Sequence, residues 1–363
     1  MLAFAIVLVA LALVLQAYTL RRGFDGVSYR IYPSASTVEP DEPFFVITEL
    51  SNGTRRFIPY IGLSESIPEE LNLITAGIET RTSGQKMRYM TSTAYLMPRQ
   101  RLTRRVEASL PARGRYFLRG GSLSLGDFLG LKETVEGITQ FNEIVVIPRP
   151  LGPGQVLDTL GGFLGDVSVN RFIFEDPVLT LGFREYTMRE PMKHISWTQT
   201  AKAGQLMVKS FDHTLEPSIT VLLNVQREGE GEPALVEHCF SLARTVCESL
   251  EDKGIAYDFI TNASAAGALS LWSTVGEGLG RRHLLTILEG LGRATYDHTE
   301  PFEALLRRLA ERVQQGRCFV LITPQGTKGF AGALSRLGEL SGGQICTISA
   351  RELAGDEEER QWA

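Results

Sequence analysis

Residues 218–260 read SITVLLNVQREGEGEPALVEHCFSLARTVCESLEDKGIAYDFI. Ile219–Leu223 is a short, continuous and branched apolar run, which is typical of a strand buried on both faces. Over residues 234–250 the apolar residues recur at helical spacing, which predicts an amphipathic helix. Gly254 then ends the helix, and residues 255–260 are predicted to form a second strand. This β-α-β order favours a parallel sheet covered by helices.

The same alternation continues towards the C-terminus. Helices are predicted over residues 284–291, from Pro301 onward and over residues 331–340, with proline suited to a first helical turn. Strands are predicted over residues 318–322 and 344–348. We therefore expect a doubly wound, mostly parallel α/β domain over residues 216–352. Residues 353–363 are predicted to be a charged tail.

Residues 27–150 have a β pattern instead. Val27, Tyr29 and Ile31 alternate with polar residues, and residues 44–50 form a second apolar run. The turn-forming pairs Asn52-Gly53 and Gly120-Gly121 each predict a tight hairpin, and residues 143–147 predict a short strand. Short strands with frequent turn signals favour a β-sandwich-like domain.

The N-terminus begins with an apolar run, residues 1–20, followed at once by Arg21-Arg22. About twenty apolar residues can cross a bilayer as a helix. A cleaved signal peptide would have its basic residues before the run and a small-residue cleavage site after it, and neither is present. We therefore predict an uncleaved transmembrane anchor over residues 1–22. The basic pair predicts that the soluble body lies in the cytoplasm, held at the cell membrane.

Composition excludes some classes of function. The chain has 363 residues and a formal net charge of -5, which argues against nucleic-acid binding. Its four cysteines form no CxxC pair, and buried reduced thiols are the simplest interpretation.

Motifs for catalysis are missing from the sequence. The five histidines form no HExxH pattern, no G-x-S-x-G elbow occurs, and the glycine-containing stretch 276–280 lacks the lysine of a phosphate-binding loop. No set of nucleophile, base and oxyanion donor can be assembled. The sequence therefore predicts a protein that is not an enzyme and that needs no cofactor.

A connector, residues 151–215, holds the best candidates for a binding site. It concentrates cations and aromatic side chains, which are enriched at protein interfaces. The candidates for partner binding are Arg184, Tyr186, Arg189, Lys193, Trp197 and Lys202. For Tyr186 and Trp197 the sequence favours packing in a core, and for the cations it leaves docking and structural pairing open.

The connector also carries a family resemblance. Arg184, Tyr186, Lys193, Ile195-x-Trp197 and Lys202 are similar to the signature of a bacterial family called domain of unknown function fifty-eight. Upstream, Arg113-Gly114-Arg115-Tyr116 and the stretch 126–131 resemble two further motifs of that family. The resemblance covers most of the chain from about residue 105 onward. It implies a membrane-anchored protein with a von Willebrand factor A-like module and a MoxR-type AAA ATPase as partner.

The chain departs from the family at the usual metal site of such modules. Where they carry Asp-x-Ser-x-Ser, this sequence has Asn224-Val225-Gln226-Arg227-Glu228. The first carboxylate has become an amide, both hydroxyls are missing and an arginine adds a repelling charge, so no metal is predicted. We expect Asn224, Gln226 and Glu228 instead to belong to a partner-facing loop, because open α/β sheets bind at the carboxyl ends of their strands.

These observations lead to one main hypothesis and two alternatives. The main hypothesis is a membrane-anchored protein–protein interaction module that works with a MoxR-type AAA ATPase and has no catalysis of its own. The first alternative is a metal-dependent, adhesion-type ligand-binding module. The second alternative is a hydrolase whose motif the sequence does not reveal.

Overall fold

The computed structural model describes residues 24–75, 79–83, 87–126, 133–152, 160–163, 176–186, 192, 195–212, 219–227, 233–266 and 273–353. The chain divides into two compact units, one of Met1–Arg149 with Leu291–Arg293 and one of Pro150–Gly290 with Ala294–Ala363.

Up to Arg149, the regular elements in the described part of the first unit are β-strands. They are β1 (Val27–Pro33), β2 (Thr37–Val38), β3 (Phe44–Asn52), β4 (Ile58–Pro68), β5 (Asn72–Leu73), β6 (Glu79–Ser83), β7 (Met87–Leu96), β8 (Arg101–Ser109), β9 (Gly114–Gly126) and β10 (Glu133–Val146).

These strands form a β-sandwich. One sheet has the order β1-β3-β8-β5 and the other the order β2-β10-β9-β4-β7-β6. Neighbouring strands are antiparallel, except that β2 runs parallel to β10. Alternate side chains of both sheets point into one shared core, which includes Ile31, Val46, Ile61, Leu123 and Ile144.

A buried carboxylate joins the two sheets across this core. Glu65 on β4 is 1% exposed, and its Oε1 accepts hydrogen bonds from Tyr29 Oη at 3.0 Å and from Thr48 Oγ1 at 2.6 Å. Arg104 on β8 donates to Oε2 of the same carboxylate. Tyr29, Thr48 and Arg104 belong to the four-stranded sheet, so three strands of one sheet hold a single side chain of the other. We call these four residues the Glu65 clamp.

The clamp also affects a phenol. Burial, followed by the negative charge of Glu65, raises the pKa of Tyr29 well above its ordinary value. The phenol therefore stays protonated and donates to Glu65 throughout the neutral range. A buried carboxylate is costly unless it is paired and hydrogen-bonded, and the clamp meets both conditions.

The predicted hairpin at Asn52-Gly53 is wrong. β3 and β4 do not pair with each other, because the chain crosses here from one sheet to the other. The Asn52 side chain is buried and organises the crossing: its Nδ2 donates to the carbonyls of Arg56 (2.6 Å) and Met97 (3.0 Å), and its Oδ1 accepts from Thr54 N at 3.1 Å. The asparagine signals a turn held by its side chain rather than a two-residue hairpin.

The predicted hairpin at Gly120-Gly121 is also wrong, because both glycines lie inside the long strand β9. Gly120 has φ +82° and lies opposite a bulge in β10 between Thr139 and Asn142. The bulge directs two amide side chains of β10 onto the backbone of β1. Gln140 Oε1 accepts from Ile31 N at 3.0 Å, Gln140 Nε2 donates to Tyr29 O at 2.9 Å, and Asn142 Nδ2 donates to Ile31 O at 2.6 Å.

Helices and strands follow one another in the remainder of the chain. The elements are β11 (Asp176–Glu185), α1 (Trp197–Ala203), β12 (Met207–Asp212), β13 (Ile219–Leu223), α2 (Pro233–Asp252), β14 (Tyr257–Thr261), β15 (Ala263–Ala265), β16 (Thr274–Gly278), α3 (Arg281–Arg293), β17 (Ala294–His298), α4 (Phe302–Ala310), β18 (Cys318–Thr323), a 3₁₀ turn (Lys328–Phe330), α5 (Ala331–Ser341) and β19 (Ile345–Ser349).

A five-stranded sheet in the order β16-β14-β13-β18-β19 is the centre of the second unit. Its four strands β14, β13, β18 and β19 are parallel, and the edge strand β16 is antiparallel to β14. Every residue of β13 is buried. Leu222 and Phe319 pack with Phe302, Leu306 and Leu337 from α4 and α5. The positions of the strands at residues 219–223 and 318–322, and of the helix over residues 234–250, are confirmed to within two residues.

The predicted β-sandwich-like domain is confirmed. The fold class predicted for the chain as a whole, with a transmembrane helix and a doubly wound von Willebrand A-like module, is nevertheless wrong. Most described strands belong to the two sheets of the sandwich. The helices of the second unit accompany a five-stranded sheet in which parallel and antiparallel strands are mixed. The antiparallel edge strand β16 and the strand pair β15 and β17 were not predicted. The reason is that the β-α alternation identifies elements one at a time and does not show which strands pair: β16 joins the edge of the sheet in the antiparallel direction, and β15 pairs with β17.

The membrane assignment is corrected as well. Within the described ranges, no helix is both long and apolar enough to cross a bilayer. The expected anchor itself, residues 1–22, lies outside the described residues. The prediction of a single-pass protein of the cell membrane with a cytoplasmic body therefore has no support in this structure.

The Glu65 clamp predicts a large effect from Arg104→Met. Removing the guanidinium leaves the Glu65 carboxylate buried without its cation, so we expect the free energy of unfolding to fall by about 3 kcal/mol. The matched control is Arg149→Met, because Arg149 pairs with Asp41 in an exposed position and should cost less than about 1 kcal/mol. Urea denaturation followed by circular dichroism measures both; equal losses would contradict the clamp.

Because the four cysteines differ in burial, we expect a thiol reagent to label them selectively. The four cysteines are free, and Cys239, Cys247 and Cys346 are buried whereas Cys318 is more accessible. Burial raises the pKa of Cys239 and Cys247 well above the ordinary thiol value, so little thiolate forms at pH 8. We expect a thiol-reactive dye to label Cys318 first, and Cys239 and Cys247 only after unfolding. Mass spectrometry of the labelled peptides, with Cys318→Ser as control, tests this order.

Candidate functional site

The connector forms a β-hairpin with a short helix between its strands. β11 pairs antiparallel with β12, with Arg184 opposite Val208 and Glu185 opposite Met207. α1 lies between them in sequence, and Gly204, which follows its last residue, has a φ of +71° that suits a glycine at a helix C-terminus. Two hydrogen bonds tie α1 to β12: Ser196 N donates to Met207 O at 2.8 Å, and Met207 N donates to Thr200 Oγ1 at 3.0 Å.

This hairpin and helix expose large apolar side chains. Trp197, at the start of α1, is 65% exposed, and none of the seven residues of α1 is buried. The interpretation that Trp197 packs in a core is therefore wrong. The exposed apolar side chains of this segment are Phe183, Met192, Trp197 and Leu206. We call these four residues the Trp197 patch.

The predicted binding residues of the connector are only partly described. Arg184 and Tyr186 lie at the end of β11 and just after it, and Lys202 is exposed in the last turn of α1. Tyr186 is half-buried, and its backbone N–H donates to Leu206 O at 2.9 Å. Arg189 and Lys193 lie outside the described residues. Their role in partner binding stays a prediction.

The loop after β13 lies at the carboxyl end of the parallel strands. Its side-chain amides form a hydrogen-bond network there. Asn224 is 2% exposed, and its Oδ1 accepts from Gln226 N at 2.9 Å and from Asn262 Nδ2 at 3.2 Å. Its Nδ2 donates to Thr323 Oγ1 at 3.2 Å. Asn224 therefore orders the ends of three neighbouring strands rather than pointing outward.

The side chain of Gln226 is also hydrogen-bonded within the protein. Its Oε1 accepts from the backbone N–H of Phe302 at 2.7 Å, which satisfies one of the free donors at the start of α4. Asn262 Oδ1 accepts from Val225 N at 2.9 Å. Glu228, the third predicted residue of this loop, lies outside the described residues.

A cleft of about 100 Å³ opens beside this network, lined by Asn224, Gln226, Pro301, Glu303, Thr323, Gln325, Gly326, Gly329 and Phe330. Among these, Glu303 supplies the carboxylate, and the remaining polar groups are neutral amides and a hydroxyl. A hard divalent cation needs several oxygens free to coordinate it, whereas the side-chain oxygens of Asn224 and Gln226 already accept backbone donors. The donor set present here is poorly suited to a metal.

Several residues of both regions were not predicted from the sequence. Asn262 and Thr323 each come at the end of a buried strand, next to Asn224 in the sheet, and a polar residue in that position was a usable signal. Phe183, Met192 and Leu206 gave no signal, because single apolar residues in a mixed segment look the same whether they are buried or exposed.

Comparison with known proteins gave only distant structural likenesses. No family model and no curated protein matches the chain. The solved structures it is similar to include the sixth cohesin of scaffoldin B from Acetivibrio cellulolyticus, at 10% identity and a TM-score of 0.24, covering 33% of this chain and 99% of that one. A type II cohesin domain from the cellulosome of the same organism gives 14% identity and a TM-score of 0.26, covering 32% and 94%.

A third likeness is a non-cellulosomal cohesin from Archaeoglobus fulgidus, at 12% identity and a TM-score of 0.24, covering 33% of this chain and 91% of that one. At these values we draw neither a family nor a function from the likeness. The resemblance to domain of unknown function fifty-eight stays a prediction.

The amide network predicts how the protein responds to divalent cations. Because the acceptor oxygens of Asn224 and Gln226 are already occupied, we expect Mg²⁺ and Mn²⁺ to change the melting temperature by less than about 1 °C, whereas a ligand bound only by the folded state would raise it. Differential scanning calorimetry and isothermal titration measure this. Stoichiometric heat of binding that disappears in Glu303→Gln would contradict the prediction and favour a metal-dependent module.

Proposed function

We propose that this protein is a non-catalytic protein-interaction module whose contact surface is the Trp197 patch. The observation that carries the proposal is the position of Trp197 on a helix that buries none of its residues. An isolated helix of seven residues is marginal in water, because too few hydrogen bonds offset the cost of its first turn. A surface that packs on α1 would supply the apolar burial that the described part of this chain does not give it.

The composition of the patch supports a protein as the occupant. Tryptophan is enriched among the residues that dominate binding energy at protein interfaces, and methionine and phenylalanine are also enriched there. Lys202 is exposed in the last turn of the same helix, and Glu185, which accepts from Gln205 Nε2 at 2.5 Å, is exposed on the strand that carries Phe183. Exposed apolar side chains accompanied by polar and charged groups are usual at a protein-binding surface.

The partner we propose to test first is a MoxR-type AAA ATPase. This choice rests on the family resemblance of the segment that contains Arg184, Tyr186 and Trp197. The absence of catalysis is likewise part of the proposal, supported by the cleft at the sheet edge, where the side-chain oxygens of Asn224 and Gln226 are used to order the chain.

The test compares Trp197→Ala with Phe141→Ala. Phe141 is 70% exposed and lies on β10, so its removal controls for the general loss of an exposed aromatic. In biolayer interferometry against a purified MoxR-type ATPase from the same organism, we expect Trp197→Ala to weaken binding about 30-fold, which corresponds to ~2 kcal/mol. We expect Phe141→Ala to bind like the unchanged protein.

A second measurement does not assume the partner. The photo-crosslinking residue benzoylphenylalanine is introduced at Lys202, and separately at Phe141, in cells of the source organism. We expect a discrete protein adduct from position 202 that is absent from position 141. If no ATPase binds but position 202 gives an adduct, the proposed partner is wrong and the proposed contact surface is supported. If neither position gives a specific adduct, the proposed function fails.

A further inference from the structure

The outer face of the six-stranded sheet contains a depression that the proposed function does not use. It has a volume of about 720 Å³ and is lined by residues of β4, β6, β7 and β9. Two rows of residues cross its floor. Gly62 pairs with Thr93 on one side and Ser124 on the other, and Ser64 pairs with Thr91 and Ser122. Because side chains alternate between the two faces of a strand, these rows point away from the core.

Tyr60 lies along this floor. A methyl group placed on Gly126 would come within 2.7 Å of Tyr60 Cδ1, and one placed on Gly62 would come within 3.4 Å of Tyr60 Oη. The phenol ring therefore rests against the backbone of two glycines; a side chain at Gly126 would displace it, and one at Gly62 would displace the Ser124 hydroxyl beside it, whose Oγ it would overlap. It is 40% exposed, so one part of the ring remains open as a platform.

The hydroxyl groups around this platform are available. In the part of the chain that the structure describes, the hydroxyls of Ser64, Thr93, Ser122 and Ser124 make no hydrogen bond to another residue, while Thr91 Oγ1 donates to Glu79 O at 3.4 Å. Each hydroxyl can donate one hydrogen bond and accept others. They form a dense set of neutral donors and acceptors beside an aromatic ring.

The charge of the depression narrows the class of ligand. Its lining includes one cation, Arg81, and one carboxylate, Glu79, both at the β6 edge. A nucleic acid or an acidic polymer would need several cations. A protein interface would need a buried apolar centre. Leu63 belongs to the core of the sandwich, so the lining residues with large apolar side chains outside the core are Tyr60 and Tyr89.

We propose that this depression binds a neutral oligosaccharide. The C–H face of a pyranose ring stacks on Tyr60, because the electron-rich face of the phenol attracts the weakly positive C–H groups. The sugar hydroxyls exchange hydrogen bonds with the serine and threonine hydroxyls on either side. A few convergent polar groups around an aromatic contact are what a small-molecule site requires. The site lies on other residues than the Trp197 patch, so each can fail without the other.

The experiment titrates the full chain by isothermal calorimetry with cellohexaose, xylohexaose, mannohexaose and chitohexaose. We expect at least one of these to bind with a dissociation constant of about 1 mM or tighter. Tyr60→Ala should weaken that binding about tenfold or more, whereas Tyr60→Phe, which keeps the ring, should change it less than about threefold. Phe141→Ala is the matched control and should leave it unchanged.

Three outcomes would overturn the proposal. Failure of all four sugars to bind excludes a neutral glycan of these types. Equal binding by Tyr60→Ala, with its melting temperature unchanged, places the site elsewhere. Binding of a heparin hexasaccharide but of none of the neutral sugars, lost in Arg81→Ala, would assign the depression to an acidic ligand instead.

Discussion

The sandwich depends on one buried charge. Glu65 projects from the six-stranded sheet into an apolar core and is held there by Tyr29, Thr48 and Arg104 of the four-stranded sheet. Apolar packing alone would allow the two sheets to slide, since it has little directional preference. Charge-assisted hydrogen bonds are directional, and a shift of one residue in either sheet would leave the carboxylate without its donors. The clamp thereby fixes the face on which the serine and threonine rows lie.

The two regions that we associate with binding differ in how they are built. The depression on the sandwich is formed by four hydrogen-bonded strands, and its aromatic ring rests on glycine backbone. The Trp197 patch lies on a two-stranded hairpin and a helix with no buried side chain. We expect the first to accept a small, ordered ligand with little rearrangement, and the second to gain order when a partner covers it.

Sequence reasoning succeeded where one residue pattern had one structural outcome. The continuous branched run of β13 and the helical spacing of α2 and α4 identified those elements, because burial on both faces of a strand or on one stripe of a helix requires such patterns. It failed where the outcome depended on pairing across the chain. Asn52-Gly53 and Gly120-Gly121 look like hairpin turns, but one pair lies at a crossing between sheets and the other lies opposite a bulge. The candidate site shows the same limit: Trp197 was expected in a core, and it is exposed because it lies on a helix that has no buried residue.

The bulge in β10 has a consequence for how the protein behaves in concentrated solution. β1 is an edge strand, and its free N–H and C=O groups could pair with a strand of another molecule. Gln140 and Asn142 instead occupy the backbone N–H and carbonyl of Ile31 and the carbonyl of Tyr29. The two amide side chains thus make the hydrogen bonds that a further strand would make. Less of the β1 edge is then open to pairing with another molecule, and this protects the sandwich against aggregation.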